Sequence, residues 1–270
     1  MDRRDDELKQ FEATGAEPLP ETGERGRVEN AGASIWYAAF GTGFPVILLH
    51  GGLGHAGNWG HQIADLVDAG YRAILIDSRG HGRSTHDGRA FSYDLMASDV
   101  LAVMDNLSIE QVALVGWSDG ACTALALARQ TPKRVAGVFF FACNVDASGT
   151  KPVQATPALD RCFARHKADY AALSPTPGGF DALLEALQPM QASQPDYSAR
   201  DLEAIRVPVT VAQSELDEFI RTEHARYVAD TIPGARFAML SGVSHFAPLQ
   251  RPRLFNDAVL GFLSRLDWSS

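Results

Sequence analysis

The stretch that decides the fold of this 270-residue chain reads Val112-Ala113-Leu114-Val115-Gly116-Trp117-Ser118-Asp119-Gly120-Ala121-Cys122. It begins with apolar, β-prone residues and ends where a run of small, helix-favouring residues starts. Two glycines and a serine lie between these halves. The pattern therefore predicts a buried strand, a sharp turn and a helix, with Ser118 on the turn.

The turn matches Gly-x-Ser-x-Gly, which is typical of a nucleophile elbow. Such a turn holds its serine in a strained backbone conformation, so that the hydroxyl stands clear of the sheet. The positions two before and two after must be small because strand and helix cross closely there, and Gly116 and Gly120 meet this requirement. A five-residue match also arises by chance, so a nucleophilic Ser118 requires a base, an acid and oxyanion donors from the rest of the chain.

The flanking segments predict a parallel sheet covered by helices. Alternating strand and helix patterns with short connections, preceded by a hairpin, indicate an α/β fold with a doubly wound, mostly parallel eight-stranded sheet and helices on both faces. Strands are predicted near Val28 and at 35–40, 45–50, 72–77, 112–117, 135–142, 207–212 and 235–240, and helices after the elbow and at about 59–69, 93–107, 222–231 and 252–266.

The chain divides into an arm, a core and an insertion. Residues 1–26 are charged and turn-rich, which predicts a mobile arm or an edge covering. Residues 27–145 and 204–270 carry the strand and helix patterns of the core. Residues 146–203 contain no strand-like run, and their short helical patterns between prolines predict a helical lid over the carboxyl ends of the strands. Ligands bind at that edge in open α/β sheets.

A serine hydroxyl needs a base to take its proton, and an imidazole suits this role because its pKa lies near neutral pH. His245 follows the last predicted strand, and Asp217 follows the strand before it, so both belong at the same sheet edge as Ser118. The order Ser, Asp, His is the one expected of this architecture. Three other carboxylates remain alternatives to Asp217, namely Glu215, Glu218 and Asp146.

An oxyanion hole requires two backbone N–H donors. We assign one to Asp119, the residue after the nucleophile, and the other to Gly52 in the loop after the first parallel strand, with Leu53 as the alternative. His50 is interpreted as bracing that loop. The Asp119 side chain has two interpretations: an acidic residue in a first helical turn, favoured by the helix dipole, or a group that attracts a cationic substrate.

Composition excludes several classes of function. A net charge of −9 without a basic stripe argues against nucleic acid, and three cysteines without a paired pattern favour a reducing compartment. The chain shows no long apolar run and no signal peptide, so we predict a cytoplasmic protein without membrane contact. The expected partner is a small-molecule acyl substrate, with neither cofactor nor metal, and no oligomeric state is assigned.

Three other functions are compatible with parts of the sequence. Residues 52–57 spell Gly-x-Gly-x-x-Gly and Asp77 ends the next strand, as in dinucleotide-binding proteins, but the helix pattern starts only near Trp59. Metal hydrolysis is disfavoured because the histidines between 50 and 86 lack ligand spacings. A non-catalytic protein that binds a small ligand in the same pocket remains the alternative outside enzymes.

From about residue 28 to its end, the chain resembles the α/β-hydrolase fold superfamily. The elbow is similar to that of valacyclovir-hydrolase-like esterases, although this match covers only a few residues. The resemblance implies hydrolysis of a small ester through Ser118, His245 and Asp217 without a cofactor, with lactone opening or carbon–carbon bond hydrolysis as alternatives. It rests on His50-Gly51-Gly52, on 77–84, on Gly116-Trp117-Ser118-Asp119-Gly120, on Glu215-Leu216-Asp217 and on Gly242-Val243-Ser244-His245.

Overall fold

A single eight-stranded sheet organises the molecule in the computed structural model, which describes residues 7–153 and 155–268. The strand order is β1-β2-β4-β3-β5-β6-β7-β8; β2 is antiparallel to both of its neighbours, β1 and β4, and all other neighbouring strands pair in parallel. The predicted sheet is confirmed. The strands are β1 (Glu24–Asn30), β2 (Ala33–Phe40), β3 (Phe44–Leu49), β4 (Tyr71–Ile76), β5 (Val112–Trp117), β6 (Val135–Phe141), β7 (Val209–Ser214) and β8 (Arg236–Leu240).

Helices cover both faces of the sheet, as the apolar runs of the central strands require. Alternate residues of β3 show this directly: Ile47 and Leu49 pack in one core and Val46 and Leu48 in the other. The helices are α1 (Leu8–Thr14), α2 (Gly60–Asp68), α3 (Tyr93–Asn106), α4 (Asp119–Gln130), α5 (Pro157–Leu173), α6 (Phe180–Ser193), α7 (Ala199–Glu203), α8 (Thr222–Thr231), α9 (Ala247–Gln250) and α10 (Pro252–Leu263). None of these described helices is long and apolar enough to cross a membrane.

The N-terminal segment is more ordered than a mobile arm. Its described part, from residue 7 onward, contains α1, which packs on α5 and α9 and buries Leu8 and Phe11. The hairpin also starts earlier than expected, because β1 begins at Glu24. The predicted arm is therefore partly a packed helix and partly an edge strand, whereas residues 1–6 lie outside the described residues.

The segment 146–203 is largely helical, and its described residues form α5, α6 and α7. Among the described residues of this segment, the single strand-like feature is an isolated bridge between Thr150 and Ile220. β7 is shifted by two residues from the predicted strand, because Pro208 precedes it and the buried polar residues Gln213 and Ser214 continue it to pair with β8. This shift moves the end of β7 closer to Asp217.

Candidate active site

The turn at Ser118 has the strained backbone that its sequence predicts. Ser118 precedes α4 with φ +55° and ψ −125°, in a region that residues other than glycine rarely adopt. A Cβ on Gly116 would overlap Ala121, and a Cβ on Gly120 would overlap the carbonyl oxygen of Leu49. Glycine at both positions therefore permits the close crossing of strand and helix that holds Ser118 at the sheet edge.

The base and acid predicted from the sequence lie together. The Nδ1–H of His245 donates a hydrogen bond to Oδ2 of Asp217 over 3.0 Å, and both side chains are buried. The other oxygen of Asp217 accepts hydrogen bonds from the backbone N–H groups of Phe219 and Ile220, each at 2.8 Å. The carboxylate is thus fixed from both sides, and it fixes the tautomer of the imidazole.

The alternative acids have other roles in the structure. Glu215 accepts a hydrogen bond from the backbone N–H of Gly242, and Glu218 accepts one from the backbone N–H of His245, at 2.8 and 2.9 Å. Asp146 caps the short turn after it by accepting from Ser148. Among these four carboxylates, Asp217 is the one whose side chain meets the His245 ring.

The loop after β3 runs beside the elbow. A Cβ on Gly51 would lie 3.2 Å from the Cβ of Ser118, and a Cβ on Gly52 would lie 2.6 Å from Oδ2 of Asp119. His50 braces this loop, because its Nε2 accepts a hydrogen bond from the backbone N–H of Ser78 at 3.0 Å. The structure thereby places the candidate donors Gly52 and Asp119 on the same wall of the site.

The Asp119 carboxylate is held by two neutral side chains that sequence reasoning missed. The Tyr93 hydroxyl donates to Oδ1 and the Gln191 amide donates to Oδ2, both at 2.8 Å. Tyr93 begins α3 and Gln191 lies on α6, so these contacts join segments that are far apart in the chain. They fix an acidic group at the wall beside Ser118.

The described site surrounds a cavity of about 290 Å³. Ser118 and His245 line it together with Gly52 and Asp119. The rest of the wall combines polar side chains, including Asn144, His166 and Gln191, with apolar ones, of which Val153 and Phe163 are exposed. A larger cavity, of about 500 Å³, lies between the loop at 80–91 and helices α5 and α6 and contains none of these groups.

The carboxylates around His245 raise its pKa, which suits the imidazole to act as a base. Burial alone would lower its pKa, but the carboxylates of Asp217, Glu218 and Asp119 outweigh burial and raise the pKa above its usual value. His166, which also lines the cavity, behaves differently because burial lowers its pKa to about 3. At neutral pH, His166 is therefore an uncharged polar group in the wall.

The geometry of the first loop does not favour the dinucleotide-binding hypothesis, and the positions of the histidines do not favour the metal-binding hypothesis. The glycine-rich loop is followed by a 3₁₀ turn at 56–59, and α2 begins only at Gly60, so no α-helix starts at the glycines. Across residues 7–153 and 155–268, no group of three or more His, Cys, Asp or Glu side chains is arranged to hold a metal ion.

Comparisons with known proteins support the same fold. The family model described as the alpha/beta hydrolase fold matches residues 45–158. The chain is 27% identical over 271 residues to the proposed carbamate hydrolase RutD of Azorhizobium caulinodans, covering 87% of this chain and 97% of the relative. The solved structure of Est816, titled an N-acyl homoserine lactone degrading enzyme, superposes with a TM-score of 0.77 at 28% identity, covering 88% of this chain and all of that one.

The chain has the α/β-hydrolase fold. A further relative is the 2-hydroxy-6-oxo-6-phenylhexa-2,4-dienoate hydrolase of Comamonas testosteroni, 28% identical over 260 residues, with 85% of this chain and 91% of the relative covered. The names of these relatives refer to a carbamate, a lactone and a dienoate. Hydrolysis is therefore the chemistry that the comparisons support for this chain, while the bond attacked differs among its relatives.

Proposed function

We propose that this α/β hydrolase cleaves small carboxylic esters with Ser118 as nucleophile, His245 as base and Asp217 as the acid that orients it. One observation carries the proposal: a serine on a strained elbow lines the same cavity as an imidazole whose Nδ1–H is bound by a buried carboxylate. The three groups thus have the roles that acyl transfer requires, whatever acyl group is bound.

The reaction proceeds in two halves. His245 Nε2 takes the proton of the Ser118 hydroxyl as Oγ attacks the carbonyl carbon, and the resulting oxyanion accepts hydrogen bonds from the N–H groups of Gly52 and Asp119. His245 then gives its proton to the leaving alcohol, which leaves an acyl-enzyme. A water molecule, deprotonated by His245, attacks this ester in turn and releases the carboxylic acid and Ser118.

The cavity supports a small and largely apolar substrate. Its volume of about 290 Å³ lies at the lower end of small-molecule sites. Residues 146–203 serve as the lid in this proposal, because Phe163, His166 and Gln191 on α5 and α6 line the cavity. The lid helices then share with the sheet edge in limiting the size of the substrate.

The proposed activity is tested with a panel of p-nitrophenyl esters, all of which release p-nitrophenol as the detected product. p-Nitrophenyl acetate and butyrate should turn over with a burst of p-nitrophenol, while esters of long fatty acids should turn over slowly because the cavity cannot hold them. Lactone opening is the second candidate, favoured by the similarity to Est816 over 88% of this chain. The proposal fails if neither an ester nor a lactone is hydrolysed and only a carbamate or a carbon–carbon substrate reacts; absence of all turnover would favour a binding protein.

A further inference from the structure

Two buried cysteines form a close pair behind the candidate site. Cys122 lies in the first turn of α4, four residues after Ser118, and Cys143 follows the end of β6. Their Sγ atoms are 2.6 Å apart, and both thiols are free. A disulfide bond is about 2.05 Å long, so a bond between them requires an approach of only about 0.5 Å.

Rigid elements hold the two sulfurs at this separation. Cys122 lies among fully buried residues of α4, and β6 is paired on both sides, with β5 and β7. The Cys122 thiol also donates to the carbonyl oxygen of Asn144 at 3.4 Å. A covalent bond would therefore join two elements that already meet, without a change of fold.

The pair lies directly behind residues that line the cavity. Asn144, whose carbonyl contacts Cys122, lines the cavity, and so does Tyr93, whose hydroxyl also interacts with the Cys122 thiol. Burial and the neighbouring Cys143 thiol raise the pKa of Cys122 well above its usual value. Cys122 is fully buried, whereas Cys143 keeps 4% of its surface exposed, so Cys143 is the partner that a peroxide reaches first.

We propose that Cys122 and Cys143 are a redox-active pair that forms a reversible disulfide with a peroxide as oxidant. The Cys143 sulfur attacks the O–O bond, which releases an alcohol or water and leaves a sulfenic acid. The Cys122 sulfur then displaces the hydroxyl, which leaves as water with the Cys122 proton. The disulfide ties the first turn of α4, which carries the Asp119 N–H, to the end of β6.

The test uses the full chain, treated with hydrogen peroxide, denatured, alkylated and mapped by mass spectrometry. We expect a peptide pair joined through Cys122 and Cys143, with Cys162 alone alkylated, and return of all three thiols after dithiothreitol. Cys162 packs in the core on the opposite face of the sheet, so C162S is the matched control and should form the same disulfide. The melting temperature of the oxidised chain should rise by about 5 °C, and C143S should show no such rise.

The peptide map of the unmodified sequence decides the proposal even if C143S does not fold. Persistence of three alkylatable thiols after peroxide would overturn it. Sulfinic acid at either cysteine, or a bond that involves Cys162, would overturn it as well.

Discussion

Replacing Asp217 with asparagine probes how the acid sets the tautomer of His245. One oxygen of Asp217 accepts two backbone N–H bonds at 2.8 Å, and the other accepts the His245 ring at 3.0 Å. An asparagine must turn its carbonyl to the backbone donors, because its NH₂ group would otherwise face two N–H groups. Its NH₂ then faces Nδ1, which accepts, and the ring proton moves to Nε2. The base can no longer take the Ser118 proton.

The expected loss for Asp217→Asn is about 10⁴-fold in kcat, on the order of 5 kcal/mol of transition-state stabilisation. The assay is steady-state hydrolysis of p-nitrophenyl butyrate, with circular dichroism to show that the fold is retained. Glu218→Gln is the matched control: it changes a neighbouring carboxylate that accepts from the His245 backbone, and should cost less than tenfold. A small loss for Asp217→Asn together with a loss above 10³-fold for Glu218→Gln would refute the reasoning.

Three further predictions follow from the site. Activity should rise with pH through a pKa above 6.5, because His245 acts as a base only when neutral and its pKa is raised; a kcat/KM profile that is flat from pH 5 to 8 would contradict this. Gly120→Ala should destabilise the chain by about 3 kcal/mol, since the new Cβ meets the Leu49 carbonyl, whereas Gly178→Ala, which meets open space, should change stability by less than about 0.5 kcal/mol in urea unfolding. If the Asp119 carboxylate attracts a cation, Asp119→Asn should lower kcat/KM for esters that carry an ammonium group and leave neutral isosteres unchanged; equal losses on both would leave it a purely structural acid.

Much of the fold could be predicted from the sequence because its strands are unusually clear. The apolar runs of β3, β5 and β6 are buried on both faces, which only a parallel sheet covered by helices allows. The elbow was equally readable, since Gly116 and Gly120 stand two residues before and two residues after Ser118 in a short, recognisable pattern. The contact that requires Gly120, with the Leu49 carbonyl, is distant in sequence, but the spacing of the two glycines made the turn visible.

Features that depend on packing between distant parts of the chain could not be predicted from the sequence. Helix α1 has only Leu8 and Phe11 as buried apolar residues, too few for a periodic signal, and it is stabilised by contacts with α5 and α9. The brace of Asp119 by Tyr93 and Gln191 joins residues up to 72 positions apart, and neither side chain is unusual in its own segment.

The choice among the acids depended on the end of β7. The apolar run suggested that the strand ends at about residue 212, which left Glu215 and Asp217 as close competitors. Pairing with β8 continues the strand through the polar Ser214. The following turn directs the Asp217 side chain toward His245, whereas the Glu215 side chain accepts a hydrogen bond from the backbone N–H of Gly242. Buried polar residues at a strand end hide its true limit from the sequence.

The most direct test of the central claim is covalent labelling of the unmodified protein with a fluorophosphonate, read by peptide mass spectrometry, alongside the turnover of Ser118→Ala. We predict one adduct per chain, on the peptide that contains Ser118, and a loss of 10⁴- to 10⁶-fold in kcat for the variant, on the order of that seen when a catalytic triad loses its nucleophile. A label on another residue, or a loss below tenfold, would show that Ser118 is not the nucleophile.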